Sequence, residues 1–142
     1  AFYGIYDRID HTFRYTNAGH NEPLVISPGK READLLTGSF KSLPLAVLEN
    51  AELKIRRRGY CECETCLSPG SKLLLYTDGL VESTAAGNLL SAFGETRIHD
   101  VIERHGQEPG SSFILRMTDS LISFHGGEDF DDDICLICLD VP

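Results

Sequence analysis

At 142 residues the chain has room for a single core, and 42% hydrophobic with 25% charged residues excludes wholesale disorder. Thirteen Lys and Arg against 22 Asp and Glu leave a formal charge of −9, which opposes binding to a phosphate backbone and favours cations. No apolar run approaches the roughly 18 residues of a membrane span, so the sequence predicts a soluble chain. The opening residues carry an early acid and no basic leader, which predicts a cytoplasmic protein without a signal peptide. Five cysteines are an odd number and do not suggest a disulfide framework; reduced thiols are expected. Walker A, dinucleotide, GxSxG and HExxH motifs are all missing from the sequence, which leaves room for an enzyme built on carboxylates.

The first half reads as short antiparallel strands. Residues 2–9 alternate loosely, Asp10-His11 turns the chain, and residues 13–16 follow. Asn17 to Asn21 is a second turn signal, then a strand over 23–26 and a turn at Ser27-Pro28-Gly29, together predicting a meander. Residues 53–65 read as a strand or hairpin. Ser68 to Ser71 then leads into a strand over 72–77. Leu73, Leu74, Leu75 and Tyr76 are apolar on both of its faces, so this strand should be central and buried on both sides.

The helices come late. Ile98, Val101, Ile102 and His105 recur at helical spacing over 95–105, with Gly106 as the expected C-terminal cap. A second helix follows Pro109-Gly110 with Ser111 or Ser112 as N-cap and an apolar stripe of Phe113, Ile114, Met117, Leu121 and Phe124. Residues 134–141 return as a buried, central strand. The whole predicts an α+β fold, a layered antiparallel β-sandwich with both helices flanking one sheet.

Two acidic sites stand out. Asp78 ends the most buried strand, and the acidic run 128–133 ends where the last strand begins. If those strands are antiparallel neighbours, Asp78 comes close to Asp131, Asp132 or Asp133. Carboxylates converging at a core rim are neutralised well by a divalent cation, and hard oxygen donors favour Mg²⁺ or Mn²⁺ over zinc. The alternative is a solvated acidic loop and an ordinary turn residue before Gly79.

Four segments sit in a recognisable order: YTNAGHNEPL (15–24), LSPGSKLLLYTDGLVE (67–82), Phe93-Gly94 and DDICL (132–136). Together they resemble the metal-dependent protein serine/threonine phosphatases of the PPM (protein phosphatase 2C-like) type, in the sporulation-protein SpoIIE branch. The resemblance implies a two-sheet sandwich with outer helices. It also implies a dinuclear Mn²⁺ or Mg²⁺ centre, whose bound water attacks the phosphorus of a phosphoserine or phosphothreonine. Carried over by position, Asp78 and Asp132 are metal ligands, with Asp133 the close alternative to Asp132. Asn17, Gly19 and His20 form a supporting turn, Gly79 follows the ligand, and Glu82 is a candidate for the outer shell of the site.

The sequence departs from the pattern at Cys135, where relatives carry Thr, and at Ser71, where Asp is common. Relatives also carry an N-terminal portion with a Gly-Asp motif and a further ligand Asp, which nothing here matches. Residues 1–142 are therefore expected to be the C-terminal portion of one SpoIIE-type phosphatase domain, weak or inactive alone. The implied partners are a phosphorylated bacterial regulator, such as an anti-sigma-factor antagonist, and an upstream sensor or receiver module. Open sheet edges would favour a homo-oligomer. The alternative is a non-catalytic interaction or regulatory module that keeps the sandwich.

Cys61, Cys63 and Cys66 raise a zinc cluster, but alternation puts Cys66 on the opposite face and no fourth ligand is evident. Cys135 and Cys138 read as core. Lys54, Arg56, Arg57 and Arg58 read as a protected strand edge. His99, His105 and His125 have no partners in the sequence and read as helix surface.

Overall fold

The computed structural model describes residues 1–36, 42–50, 52, 59–86 and 88–142. The predicted strands appear with shifted bounds, and of the strand or hairpin read over 53–65, residues 53–58 lie outside the described residues. β1 (Phe2–Tyr6), β2 (Thr12–Asn17) and β5 (Cys63–Cys66) form an antiparallel sheet in the order β1-β2-β5. β3 (Leu24–Ile26), β4 (Ala33–Leu35), β6 (Lys72–Tyr76) and β9 (Leu136–Asp140) form a second, in the order β4-β3-β6-β9. The expected meander is thus divided, because the turn after β2 carries the chain from one sheet to the other. The basic run at Lys54 and Arg56 to Arg58 lies outside the described residues.

The double-faced apolar run of β6 explains the layering. Leu74 and Tyr76 face the helices, in one core with Leu24, Ile26, Phe93, Ile98, Ile102, Phe113, Met117 and Leu121. Leu73 faces the other sheet, in a core with Phe13, Tyr15, Leu36, Leu67 and Val141. One strand therefore holds two cores together, each full burial of a Leu contributing about 1.5–3 kcal/mol. The result is an α+β layered sandwich with flanking helices.

α2 (Gly94–His105) buries Ile98, Val101 and Ile102, and α3 (Gly110–His125) buries Phe113, Met117 and Leu121. Gly106 is the C-cap of α2 as expected, its amide donating to the Ile102 carbonyl at 2.8 Å, whereas the expected N-cap of α3 is not found. Gly106 is right-handed (φ −60°), and its want of a Cβ serves a close approach, since one would stand 2.6 Å from the Ile102 carbonyl. The left-handed cap is Gly126, at φ 89° after α3. Neither Ser111 nor Ser112 caps α3; the Gly110 amide at its start donates to Asp140 Oδ2 at 2.9 Å.

The last strand is also corrected. β9 lies at a sheet edge rather than the centre, and Ile137 and Leu139 are exposed. Cys135 is exposed outside the strand, and only Cys138 packs on the helix-facing core. β4, α1 (Asp78–Glu82) and the hairpin of β7 (Thr84–Ala85) and β8 (Asn88–Ala92) have no counterpart among the elements read from the sequence. Among the described residues no helix is long and apolar enough to cross a membrane.

Candidate functional site

The condition set on the sequence is met: β6 and the last strand pair antiparallel, with Tyr76 opposite Leu136. Beyond that pair, the Thr77 amide donates to the Cys135 carbonyl at 3.1 Å. Thr77 Oγ1 donates to the Asp133 carbonyl at 3.0 Å and accepts from the Cys135 amide at 2.9 Å. Thr77 occupies the N-cap position of α1, yet its hydroxyl is committed to the opposite strand and makes no cap bond. Gly79 lies so close to that strand that a Cβ would stand 2.7 Å from the Asp133 carbonyl oxygen. The backbone of Asp78 is thereby fastened beside that of Asp133.

The Asn17 turn is built as a closed unit. Asn17 Oδ1 accepts from the His20 amide at 2.8 Å, and Asn17 Nδ2 donates to the His20 carbonyl at 2.9 Å. Gly19 takes φ +72°, and a Cβ there would strike Pro44. His20 Nδ1 donates to the Asn21 carbonyl at 2.7 Å, because a carbonyl oxygen only accepts. Asn17, Gly19 and His20 line an open cleft of about 390 Å³ together with Tyr76, Asp78 and Glu82. Burial pushes the Tyr76 phenol above its usual range, and the Glu95 and Glu22 carboxylates raise it further.

The side chains of the acidic run lie elsewhere. Asp131 and Asp132 line a smaller cavity of about 150 Å³ with Gly79, Glu82 and Ser83. Asp132 and Asp133 both line a third, beside Thr118 and Glu128. Asp132 Oδ1 accepts from the Asp133 amide at 2.8 Å, so that oxygen is turned onto its own chain. Backbone proximity of Asp78 and Asp133 is therefore as expected, while Asp78 and Asp132 line different cavities. Glu82 borders both spaces. Among the described residues no three His, Cys, Asp or Glu side chains gather to hold a metal ion, at Cys61, Cys63 and Cys66 or elsewhere.

The family model for Stage II sporulation protein E (SpoIIE) matches residues 1–142. The chain belongs to the SpoIIE family. Solved structures agree in fold. The SiaA-PP2C domain of Pseudomonas aeruginosa superposes with a TM-score of 0.71 at 22% identity, covering 94% of this chain and 48% of that one. The Bacillus subtilis SpoIIE phosphatase domain, presoaked in Mn, gives 0.69 at 10% identity, covering 99% and 56%. The RsbU and RsbW domains of Rv1364c from Mycobacterium tuberculosis give 0.61 at 23%, covering 96% and 34%. The chain thus spans about half or less of the length of these relatives. No curated protein matches.

The donor chemistry of this SpoIIE-family chain is that of a hard cation, since Asp78, Asp132 and Asp133 offer only carboxylate oxygens. The arrangement does not complete a site: Mg²⁺ takes six oxygens at about 2.0–2.1 Å, whereas no three candidate ligands gather among the described residues. As they stand, the described residues do not fit the dinuclear centre.

Several residues at the site were not singled out from the sequence. Glu22 and Glu95 line the Asp78 cleft, although neither belongs to a recognisable motif. His125, taken as helix surface, has partners at both ring nitrogens: the Thr84 carbonyl at 2.8 Å and the Asp129 carbonyl at 3.1 Å. It ties the acidic run to β7. Ser83 Oγ is buried without a hydrogen-bond partner among the described residues. Only the burial of Tyr76 was legible beforehand, from the apolar run that contains it.

Proposed function

We propose that these 142 residues, taken alone, act as a non-catalytic interaction or regulatory module that keeps the phosphatase sandwich. The observation behind this reading is that Asp78 and Asp132 line separate cavities, with no three candidate ligands together among the described residues.

A second reading is favoured by the fastening of Asp78 beside Asp133 and by family membership. Within a longer domain, residues 1–142 are the C-terminal portion of a cytoplasmic, metal-dependent protein serine/threonine phosphatase. Asp78 and Asp132, with Asp133 adjacent, hold Mn²⁺ or Mg²⁺ there once further ligands join them. The substrate is a phosphorylated regulator, such as an anti-sigma-factor antagonist, under the control of a sensor or receiver module. Metal held there would supply a more acidic water and charge for phosphoryl oxygens. The part of this chain is to fix carboxylate positions at one end of the sandwich.

The test is Mn²⁺-dependent hydrolysis of p-nitrophenyl phosphate by this chain, beside a form extended upstream. No turnover by the chain alone is expected; turnover by it would overturn the module reading. Turnover confined to the extended form would support the second reading, and Asp78→Asn or Asp132→Asn should then abolish it. An extended form that is folded, metal-loaded and inactive would end the phosphatase reading.

A further inference from the structure

His125 closes α3, and its half-buried ring stands between two segments that are far apart in sequence. Nδ1 faces the Thr84 carbonyl of β7 at 2.8 Å, and Nε2 faces the Asp129 carbonyl at 3.1 Å. A carbonyl oxygen only accepts, so each ring nitrogen has to donate. Neutral imidazole carries one N–H, and only the imidazolium carries two. The hydrogen bonds at this residue are therefore complete with the ring charged. The backbone around it is fixed, since the Ala86 amide donates to the His125 carbonyl at 2.9 Å and Gly126 turns the chain at φ 89°. The acidic run is held far less. Among the described residues, residues 128–132 make no hydrogen bond to a separate segment other than the one from His125. Phe130 is their other attachment, half-buried with its ring centre 4.7 Å from that of His125.

We propose that His125 is a proton-dependent latch: doubly protonated, it holds the acidic run against β7, and loss of one proton lets the run go. The ring gives that proton to water and keeps the other. The Asp129 contact is the longer and the more exposed of the two, so Nε2 is the nitrogen that loses its hydrogen. Its lone pair then meets the lone pairs of a carbonyl oxygen, and the Asp129 carbonyl turns to water instead. Asp131 and Asp132 of the run line the cavity of about 150 Å³ that His125 also lines. Closed, the latch sets where those two residues stand; open, it leaves them to Phe130 and to the Thr77 bond at Asp133. The charged groups around the ring are Glu82 from α1 and Asp131 and Asp132 from the run, all lining that cavity, with Glu128 and Asp129 nearby in the run. β7 brings none, and α2 brings Arg97, whose guanidinium stands 4.2 Å over the neighbouring Phe124 ring. The latch is a property of these residues by themselves and needs neither reading of the function.

The test follows the amides and histidine rings of the whole chain by NMR from about pH 5.5 to 8, within the window where histidine changes charge. At the acid end the Glu128–Asp132 amides should be ordered, with order parameters near 0.85, and at the other end below about 0.6. The Thr84 and Ala86 amides should change little. The midpoint of the change in the run should coincide with that of the His125 ring protons. His125→Phe keeps a ring beside Phe130 and every neighbouring carboxylate, but offers no N–H. Its run should be loose at both ends of the window, while α3 and the sheets keep their shifts. A run equally ordered at both ends in the parent chain would overturn the proposal. So would a pH-dependent loosening that survives in His125→Phe, or a midpoint in the run that differs from that of the ring. The parent titration decides by itself if the variant does not fold. Failure here leaves the phosphatase test intact, because that one is read by turnover.

Discussion

Thr77 and Cys135 are joined in both directions: the Thr77 amide donates to the Cys135 carbonyl at 3.1 Å, and the Cys135 amide donates to Thr77 Oγ1 at 2.9 Å. The same hydroxyl spends its proton on the Asp133 carbonyl. A strand pair that would otherwise end at Tyr76 and Leu136 is thus carried on to the two acidic segments. Thr77→Val removes the hydroxyl and keeps the shape. It should cost about 1 kcal/mol, the net worth of a typical hydrogen bond, with the Cys135 amide left to water. Urea unfolding of the whole chain measures it, and amide exchange at Cys135 should quicken more than exchange within β6.

Gly79→Ala sets two effects against each other. Alanine in place of glycine favours a helix by about 1 kcal/mol. Here the new methyl would stand 2.7 Å from a backbone oxygen of Asp133, which no side-chain rotation relieves. Overpacking of this kind costs about 1–3 kcal/mol, so the variant should be less stable than the parent. A raised midpoint in urea would show that the two strands part easily.

Asp140 serves two elements. Its Oδ2 accepts from the first amide of α3, and its Oδ1 lies 3.3 Å from Lys72 Nζ, whose side chain is only 9% exposed. An exposed ion pair contributes under about 1 kcal/mol, but this loss would strand a buried ammonium and an open helix end. Asp140→Ala should therefore cost about 2 kcal/mol. Thermal unfolding reads the loss, which Lys72→Met in the same chain should partly restore.

The Cys138 thiol is pushed up to about 11, first by burial and then by the Asp140 carboxylate, against the smaller opposing pull of Lys72. At pH 8 iodoacetamide should label exposed Cys61, Cys66 and Cys135 well before Cys138, because the thiolate is the nucleophile. The raised value has a stability consequence. Below pH 9 the thiol is protonated in both folded and unfolded chains, and its contribution is complete. Between about 9 and 11 the unfolded chain releases the proton first, so stability falls as pH rises. Cys138→Ala should flatten that part of the pH profile of unfolding.

Much of this protein was determined by sequence alone. Leu73 to Tyr76, apolar at every position, had to be covered on both faces, and that fixed β6 as the strand shared by two cores. The four motif segments marked the SpoIIE family, while the antiparallel pairing of β6 with the last strand entered only as a condition that the structure meets. Only the tertiary structure decided that β9 lies at an edge, because an apolar run reports burial on its faces and says nothing about its lateral neighbours. The separation of Asp78 from Asp132 likewise waited on the fold. Strand pairing sets backbone proximity, but it does not set where side chains go, and the two carboxylates line different cavities. Glu22, Tyr76 and Glu95 belong to separate segments, and their meeting in one cleft is a consequence of packing that no local pattern encodes.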